Sequence, residues 1–109
     1  MSLTIEAQPV PLHAAKGGVI RVGGTRVPLD TVITAFLLGS TPEEIVLGYP
    51  SLTLEDVYAT IAYYLRNRAV VDAYLAERKA ARAAAQAEAE HRFDPAGIRA
   101  RLLARQSEQ

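Results

Sequence analysis

Cysteine is absent from this 109-residue chain, which excludes disulfide bonds, thiolate nucleophiles and cysteine-ligated zinc. A net charge is also missing, since 12 basic residues balance 12 acidic ones, so nothing attracts the whole chain to nucleic acid or anionic lipid. No apolar run approaches the ~20 residues that span a membrane. The N-terminus shows no basic segment followed by an apolar run, so we expect no signal peptide and a cytoplasmic location.

Groups that could carry catalysis are few. His13 and His91 lie far apart without a second ligand at metal-binding spacing, so surface histidines are favoured over a metal site. Two adjacent carboxylate pairs occur, at residues 43–44 and 55–56. Each pair falls in the first turn of a predicted helix, where the helix dipole favours negative charge, so capping is favoured over general acid–base chemistry. We therefore predict a protein that is not an enzyme and that binds no metal or cofactor.

The N-terminal part predicts a short β-hairpin. Residues 10–14 and 19–22 have strand character, and Lys16-Gly17-Gly18 between them suits a hairpin loop because glycine accepts positive φ. Gly23-Gly24 interrupts the second strand, and residues 25–27 are expected to resume it. An isolated hairpin is only marginally stable in water, so this one must pack on the helices or pair with a second copy. Because its exposed edge needs cover, we predict a homodimer.

Three helices are expected to form the core. The first should begin near Pro28 and end at Gly39. Thr41 and Glu44 have the spacing of a capping box that opens a helix over residues 42–48. A turn over 49–52 and a helix over 53–66, capped by Thr53, complete a helix-turn-helix layout. The predicted fold class is mainly α, a trihelical helix-turn-helix core with an N-terminal β-hairpin and a long C-terminal helical extension.

The extension follows a break expected near Asn67. An apolar face continues to Leu75, and residues 76–90 are rich in alanine, arginine and glutamate, with high helix propensity and no core of their own. Residues 91–95 should end that helix. The predicted organisation is a hairpin arm over 1–27, the core over 28–66 and the extension over 67–109.

The use of the helix-turn-helix stays open between DNA binding and a structural or protein-binding role. Residues 17–65 contain only two basic side chains against five acidic ones, and the second helix begins with acidic residues where a DNA reader usually has Arg, Lys, Asn or Gln. If DNA is bound, the predicted contacts are Arg21, Arg26, Ser51 and Thr53. Arg26 could instead form an ion pair with Glu43 or Asp56.

The tyrosines and the C-terminal residues have their own alternatives. Tyr58, Tyr63 and Tyr64 could stack on single-stranded bases, but Tyr58 and Tyr64 lie on the apolar stripe, which favours core or dimer packing. The extension is predicted to bind a protein partner as a helix in a groove. The predicted partner-binding residues are Tyr74, Leu75, Ile98, Arg99, Leu102 and Leu103.

Three ordered motifs, VIRVGGTRVP over residues 19–28, TPEEI over 41–45 and YPSLTLEDV over 49–57, resemble the domain-of-unknown-function 433 family. The resemblance implies a VapB-type antitoxin, often dimeric, that neutralises a PIN-like ribonuclease toxin and can bind operator DNA. The alternative is a standalone helix-turn-helix regulator without a toxin partner. The resemblance also implies that arginines of the extension meet the metal-binding carboxylates of the nuclease.

Overall fold

The structure is a computed structural model that describes residues 2–92. Within these residues the elements, in chain order, are β1 (Leu12–Ala14), a 3₁₀ turn (Lys16–Gly18), β2 (Ile20–Val22), α1 (Leu29–Leu37), α2 (Pro42–Gly48), α3 (Leu54–Arg66) and α4 (Arg68–Arg92). The predicted class, mainly helical with an N-terminal hairpin and a long C-terminal helix, is confirmed. No helix within residues 2–92 is both long enough and apolar enough to cross a membrane.

The hairpin is antiparallel, and Leu12 pairs with Val22 while Ala14 pairs with Ile20. Both strands are shorter than predicted. The expected continuation over residues 25–27 is wrong, because the Thr25 hydroxyl donates to the Val22 carbonyl (2.7 Å) and accepts from the Val27 amide (3.1 Å). These bonds close a local turn instead of a strand, as threonine side chains often do.

The helix ends follow their capping residues. Pro28 is the N-cap of α1 rather than its first residue, and Gly39 follows that helix at φ 101°. At α2 the capping box is complete: the Thr41 hydroxyl accepts from the Glu44 amide (3.2 Å), and the Glu44 carboxylate accepts from the Thr41 amide (3.3 Å). The Thr53 hydroxyl caps α3 by accepting from the Asp56 amide (3.2 Å). The predicted starts of both helices are confirmed.

Two adjoining groups of apolar side chains form the core. The first group joins β2 to α1, α2 and α3 and consists of Val22, Val32, Ile45, Leu52, Val57 and Ile61. The second joins α1, α3 and the start of α4 and consists of Leu29, Ile33, Tyr64 and Val71. The hairpin is therefore part of the same packed unit as the three helices. Tertiary contacts divide the chain after Leu75.

The predicted break between α3 and α4 occurs at Asn67, which has φ −132° and ψ 40°. The Asn67 side-chain amide donates to the Tyr63 carbonyl (3.0 Å), and this bond caps the C-terminal end of α3. Across the break the Tyr64 hydroxyl donates to the Asp72 carboxylate (2.9 Å), and this bond raises the pKa of Tyr64. The guanidinium of Arg68 lies 5.6 Å from the centre of the Tyr64 ring. Local side chains thus set the junction of the two helices.

Candidate helix-turn-helix surface and apolar cavity

A side-chain hydrogen bond from a tyrosine on α3 connects the two helices of the helix-turn-helix. The Tyr58 hydroxyl donates to the Glu43 carboxylate (2.7 Å), which lowers the pKa of Glu43 and raises the pKa of Tyr58. Tyr58 is 49% exposed, so of its two expected roles core packing does not occur and dimer packing stays a prediction, whereas Tyr64 is buried in the core. The buried side of α3 runs through Val57, Thr60, Ile61 and Tyr64. Tyr58 lies beside that stripe and faces α2.

The predicted DNA contacts lie at two neighbouring places in the fold. Arg21 is on β2 and Arg26 is in the turn that follows it. Ser51 is in the turn before α3, and Thr53 is the N-cap of that helix. Arg21, Arg26, Ser51 and Thr53 are all exposed. A β-carbon built on Gly23 would lie only 2.7 Å from the Asp56 carboxylate, so the turn between the two arginines packs against the N-terminus of α3. Nothing in the local sequence indicates this close approach.

The alternative ion pairs of Arg26 do not form: within residues 2–92 no carboxylate lies at ion-pair distance from its guanidinium. The Glu43 carboxylate is engaged by Tyr58, and the Asp56 side chain lies against Gly23. The arginine therefore faces solvent.

Acidic groups stand at the same end of α3. Glu55 is exposed and Asp56 is half-buried, both in the first turn, where the helix dipole stabilises them. A DNA phosphate approaching Ser51 or Thr53 would also approach these carboxylates. The electrostatics of this end therefore oppose DNA binding by a single copy.

Two of the predicted partner-binding residues pack inside this chain. Tyr74 and Leu75 are half-buried against the second core group. The Tyr74 hydroxyl accepts a hydrogen bond from the Ile20 amide (2.8 Å) on the outer edge of β2. Tyr74 thus anchors the hairpin to α4, a role that apolar periodicity does not reveal because it does not show which surface covers a stripe. The other four, Ile98, Arg99, Leu102 and Leu103, lie outside the described residues.

An apolar cavity of about 280 Å³ lies beside the hairpin and was not predicted from the sequence. It is lined by Leu12, Ala14, Ile20, Leu29, Tyr63, Val70, Val71 and Tyr74. Val70 on its rim is 68% exposed. A second cavity of about 310 Å³ lies between the segment Gln8–Val10 and the outer face of α3. Among residues 2–92 no group of three or more histidine, aspartate or glutamate side chains could hold a metal ion.

A hairpin on a three-helix unit whose second and third helices form a helix-turn-helix defines a small helix-turn-helix protein. The chain belongs to the DUF433 family, described as "protein of unknown function (DUF433)", whose model matches residues 14–64. It is 31% identical to a DUF433 member protein from Anabaena variabilis of known crystal structure. That match covers 62% of this chain and 69% of the other, with a TM-score of 0.52. No curated protein matches the chain.

Proposed function

We propose that this DUF433 member is an antitoxin-type protein that binds and neutralises a PIN-like ribonuclease through its C-terminal extension. The observation that carries the proposal is the second half of α4. Residues 79–92 are exposed along their whole length, although α4 continues without a break to Arg92. This half contains no large apolar side chain, so it contributes little burial to its own fold and its surface is available to a partner.

Local interactions support the exposed half of α4. Alanine supplies high helix propensity, and two side-chain pairs one turn apart support the helix: Arg92 with Glu88 (2.7 Å) and Gln86 with Glu90 (3.1 Å). Pairs of this kind contribute only about 0.2–0.5 kcal/mol each. A partner that binds a helix already formed avoids most of the cost of ordering it, which favours tight association.

The residues after α4 supply the large apolar side chains that the exposed half lacks, together with further basic groups. Ile98, Leu102 and Leu103 have the spacing of one helix face, and arginines at 99, 101 and 105 are interleaved with them. By family resemblance, the arginines would face the acidic metal-binding groups of the nuclease. Their charge there would exclude the metal or the RNA substrate. This places the inhibitory chemistry in the extension.

Co-expression of the full chain with a PIN-like protein encoded next to it tests the proposal. We expect the two to co-purify and the nuclease to lose activity. Leu102→Asp with Leu103→Asp should abolish both effects. Leu38→Asp with Leu47→Asp is the matched control, since these leucines of the core unit are 83% and 80% exposed and the same charge is added. Equal neutralisation by both variants, or no binding by the natural chain, would show the proposal to be wrong.

A chain that ends after Leu75 provides a second test. Both core groups and the Tyr74 bond to Ile20 lie before that point, so the thermal midpoint should be kept. Binding to the nuclease should be lost. A shortened chain that still neutralises the nuclease would place the binding surface on the core instead.

The second candidate function is DNA binding as a helix-turn-helix regulator. It is favoured by four exposed residues on β2, on the turn after it and at the start of α3: Arg21, Arg26, Ser51 and Thr53. Arg26→Ala should then weaken binding to the chain's own promoter and lower the salt slope by about one. Lys79→Ala, which removes an exposed positive charge on α4, is the control. If the two variants bind alike at all salt concentrations, Arg26 does not contact DNA.

A further inference from the structure

The outer edge of β1 is an open sheet edge. The Ala15 amide donates to the Val19 carbonyl, and the Gly23 amide donates to the Pro11 carbonyl. The odd-numbered residues of β1 and of its two flanking positions therefore form the hydrogen-bonded pairs with the β2 side of the hairpin. The backbone groups of Leu12 and Ala14 therefore point away from β2. The Leu12 amide bonds to Val10, but within residues 2–92 nothing bonds the Leu12 carbonyl or either backbone group of Ala14. These three groups can receive another strand.

The outer edge of β2, in contrast, is closed. The Ile20 amide donates to the Tyr74 hydroxyl, and the Val22 amide donates to the Val27 carbonyl. An added strand can therefore pair only with β1.

The segment before the hairpin has the pattern of a strand without a partner. Apolar Leu3, Ile5 and Ala7 alternate with polar Thr4 and Glu6. Strict alternation of this kind is typical of a strand with one covered face. Yet Leu3 is 86% exposed and Ile5 is 88% exposed, so the chain leaves that face in water. Two large aliphatic side chains on one face of a short segment call for a covering surface.

The connection to β1 directs this segment away from its own hairpin. Gln8-Pro9-Val10-Pro11 contains two prolines, and a residue that precedes proline is restricted to extended backbone. A tight reversal onto β1 is therefore disfavoured. Instead Gln8, Pro9 and Val10 lie over α3, where they line a cavity with Ala62 and Tyr63. The strand-like segment is presented outward, where it can reach a second molecule.

We propose that residues 3–7 of one copy add as a strand to the open edge of β1 in a second copy, and that the exchange is reciprocal. The side chains of Leu12 and Ala14 line the 280 Å³ apolar cavity. In a strand paired with them, Leu3 and Ile5 lie on the same face of the sheet and extend over that cavity. The sheet then has three strands in each copy, and the exposed apolar side chains of both copies become buried.

This interface is separate from the nuclease-binding role, and residues 3–7 lie outside the segment matched by the family model, residues 14–64.

Cross-linking tests the pairing directly, because the natural chain has no cysteine. The full chain with Ile5→Cys and Ala14→Cys is oxidised and run on a non-reducing gel. We expect a covalent dimer, since neighbouring residues on adjacent strands have β-carbons about 4.5–5.5 Å apart. A covalently closed monomer would mean that the segment folds back on its own β1, and free thiols would mean that it pairs with neither; both results overturn the proposal.

Sedimentation equilibrium tests the energetics on the full chain. The natural chain should be dimeric at tens of micromolar. Leu3→Glu with Ile5→Glu should raise the dissociation constant at least about a hundredfold, because two buried aliphatic side chains per segment are lost. Ser2→Glu with Thr4→Glu adds the same charge on the opposite face and should leave it nearly unchanged. A monomeric natural chain, or an equal effect of the two variants, would refute the exchange.

Discussion

Gly23 offers a sharp test of how the hairpin packs on α3. Its φ is 61°, and an added β-carbon would meet the Asp56 carboxylate oxygen at 2.7 Å. Gly24, the next residue, has no positive φ, and an added β-carbon there meets nothing within 4 Å. The two glycines are adjacent in sequence, but the structure predicts opposite responses to alanine.

The cost of Gly23→Ala is the sum of three effects. The left-handed backbone costs a residue with a β-carbon about 1–2 kcal/mol. Alanine also restricts the unfolded chain more than glycine does, and this stabilising effect offsets about 0.4–1 kcal/mol of the backbone cost. The Asp56 side chain must then move away, at a cost of order 1 kcal/mol for a shifted rotamer. We expect a net loss of about 1–2 kcal/mol, and a fall in the thermal midpoint of roughly 5–15 °C for a unit of this size.

Urea unfolding followed by far-UV circular dichroism measures this loss. Gly24→Ala, the control, should leave stability unchanged or raise it by up to about 1 kcal/mol. In an Asp56→Ala background the contact is gone, so Gly23→Ala should cost roughly half as much and retain only its backbone part. Equal midpoints for Gly23→Ala and Gly24→Ala would refute both the left-handed turn and its contact with α3.

Two further predictions concern tyrosine hydroxyls. Tyr74→Phe leaves the Ile20 amide without its acceptor and should cost about 1–2 kcal/mol in urea unfolding, with faster amide exchange at Ile20. Tyr63→Phe, whose hydroxyl bonds to none of the described residues, is the control, and an equal loss there would contradict the role of Tyr74. Tyr58→Phe should return the lowered pKa of Glu43 toward its ordinary value of 4.5, as followed by NMR titration. Because the pKa of Glu43 is lowered in the folded state, the bond stabilises the fold at pH values above the unfolded pKa. That stabilisation is lost as the pH falls through the folded pKa, so the stabilities of the natural chain and of Tyr58→Phe should become equal in acid. An unchanged pKa of Glu43 in Tyr58→Phe would argue against the bond.

Local chemistry allowed the helix-turn-helix to be predicted from the sequence. The starts of α2 and α3 follow from Thr41, Glu44 and Thr53, whose side chains bond backbone amides three residues away. The break at Asn67 follows from a shift in the apolar phase. The family was also evident, since its three motifs lie within residues 19–57, inside the segment that the family model matches.

The structure departs from composition and spacing at two places, once through a local side-chain bond and once through a tertiary one. Residues 25–27 have strand composition, but the Thr25 hydroxyl closes a turn there. Tyr58 has the spacing of a core residue, but it lies beside the buried stripe and bonds to Glu43, fifteen residues away.

The helical segments and their caps can be read from the sequence, because they depend on residues within a few positions of each other, and the family follows from three motifs in order along the chain. What each apolar stripe covers depends instead on contacts between distant residues. Tyr74 and Leu75 have the same spacing whether they face a partner or their own hairpin. Which surface Tyr74 faces is decided by Ile20, 54 positions away in the sequence. The Ile20 amide lies on the outer edge of β2, where the Tyr74 hydroxyl can accept its hydrogen bond. The open edge of β1 cannot be predicted from the sequence either, because it depends on which backbone groups of β1 remain unpaired by β2.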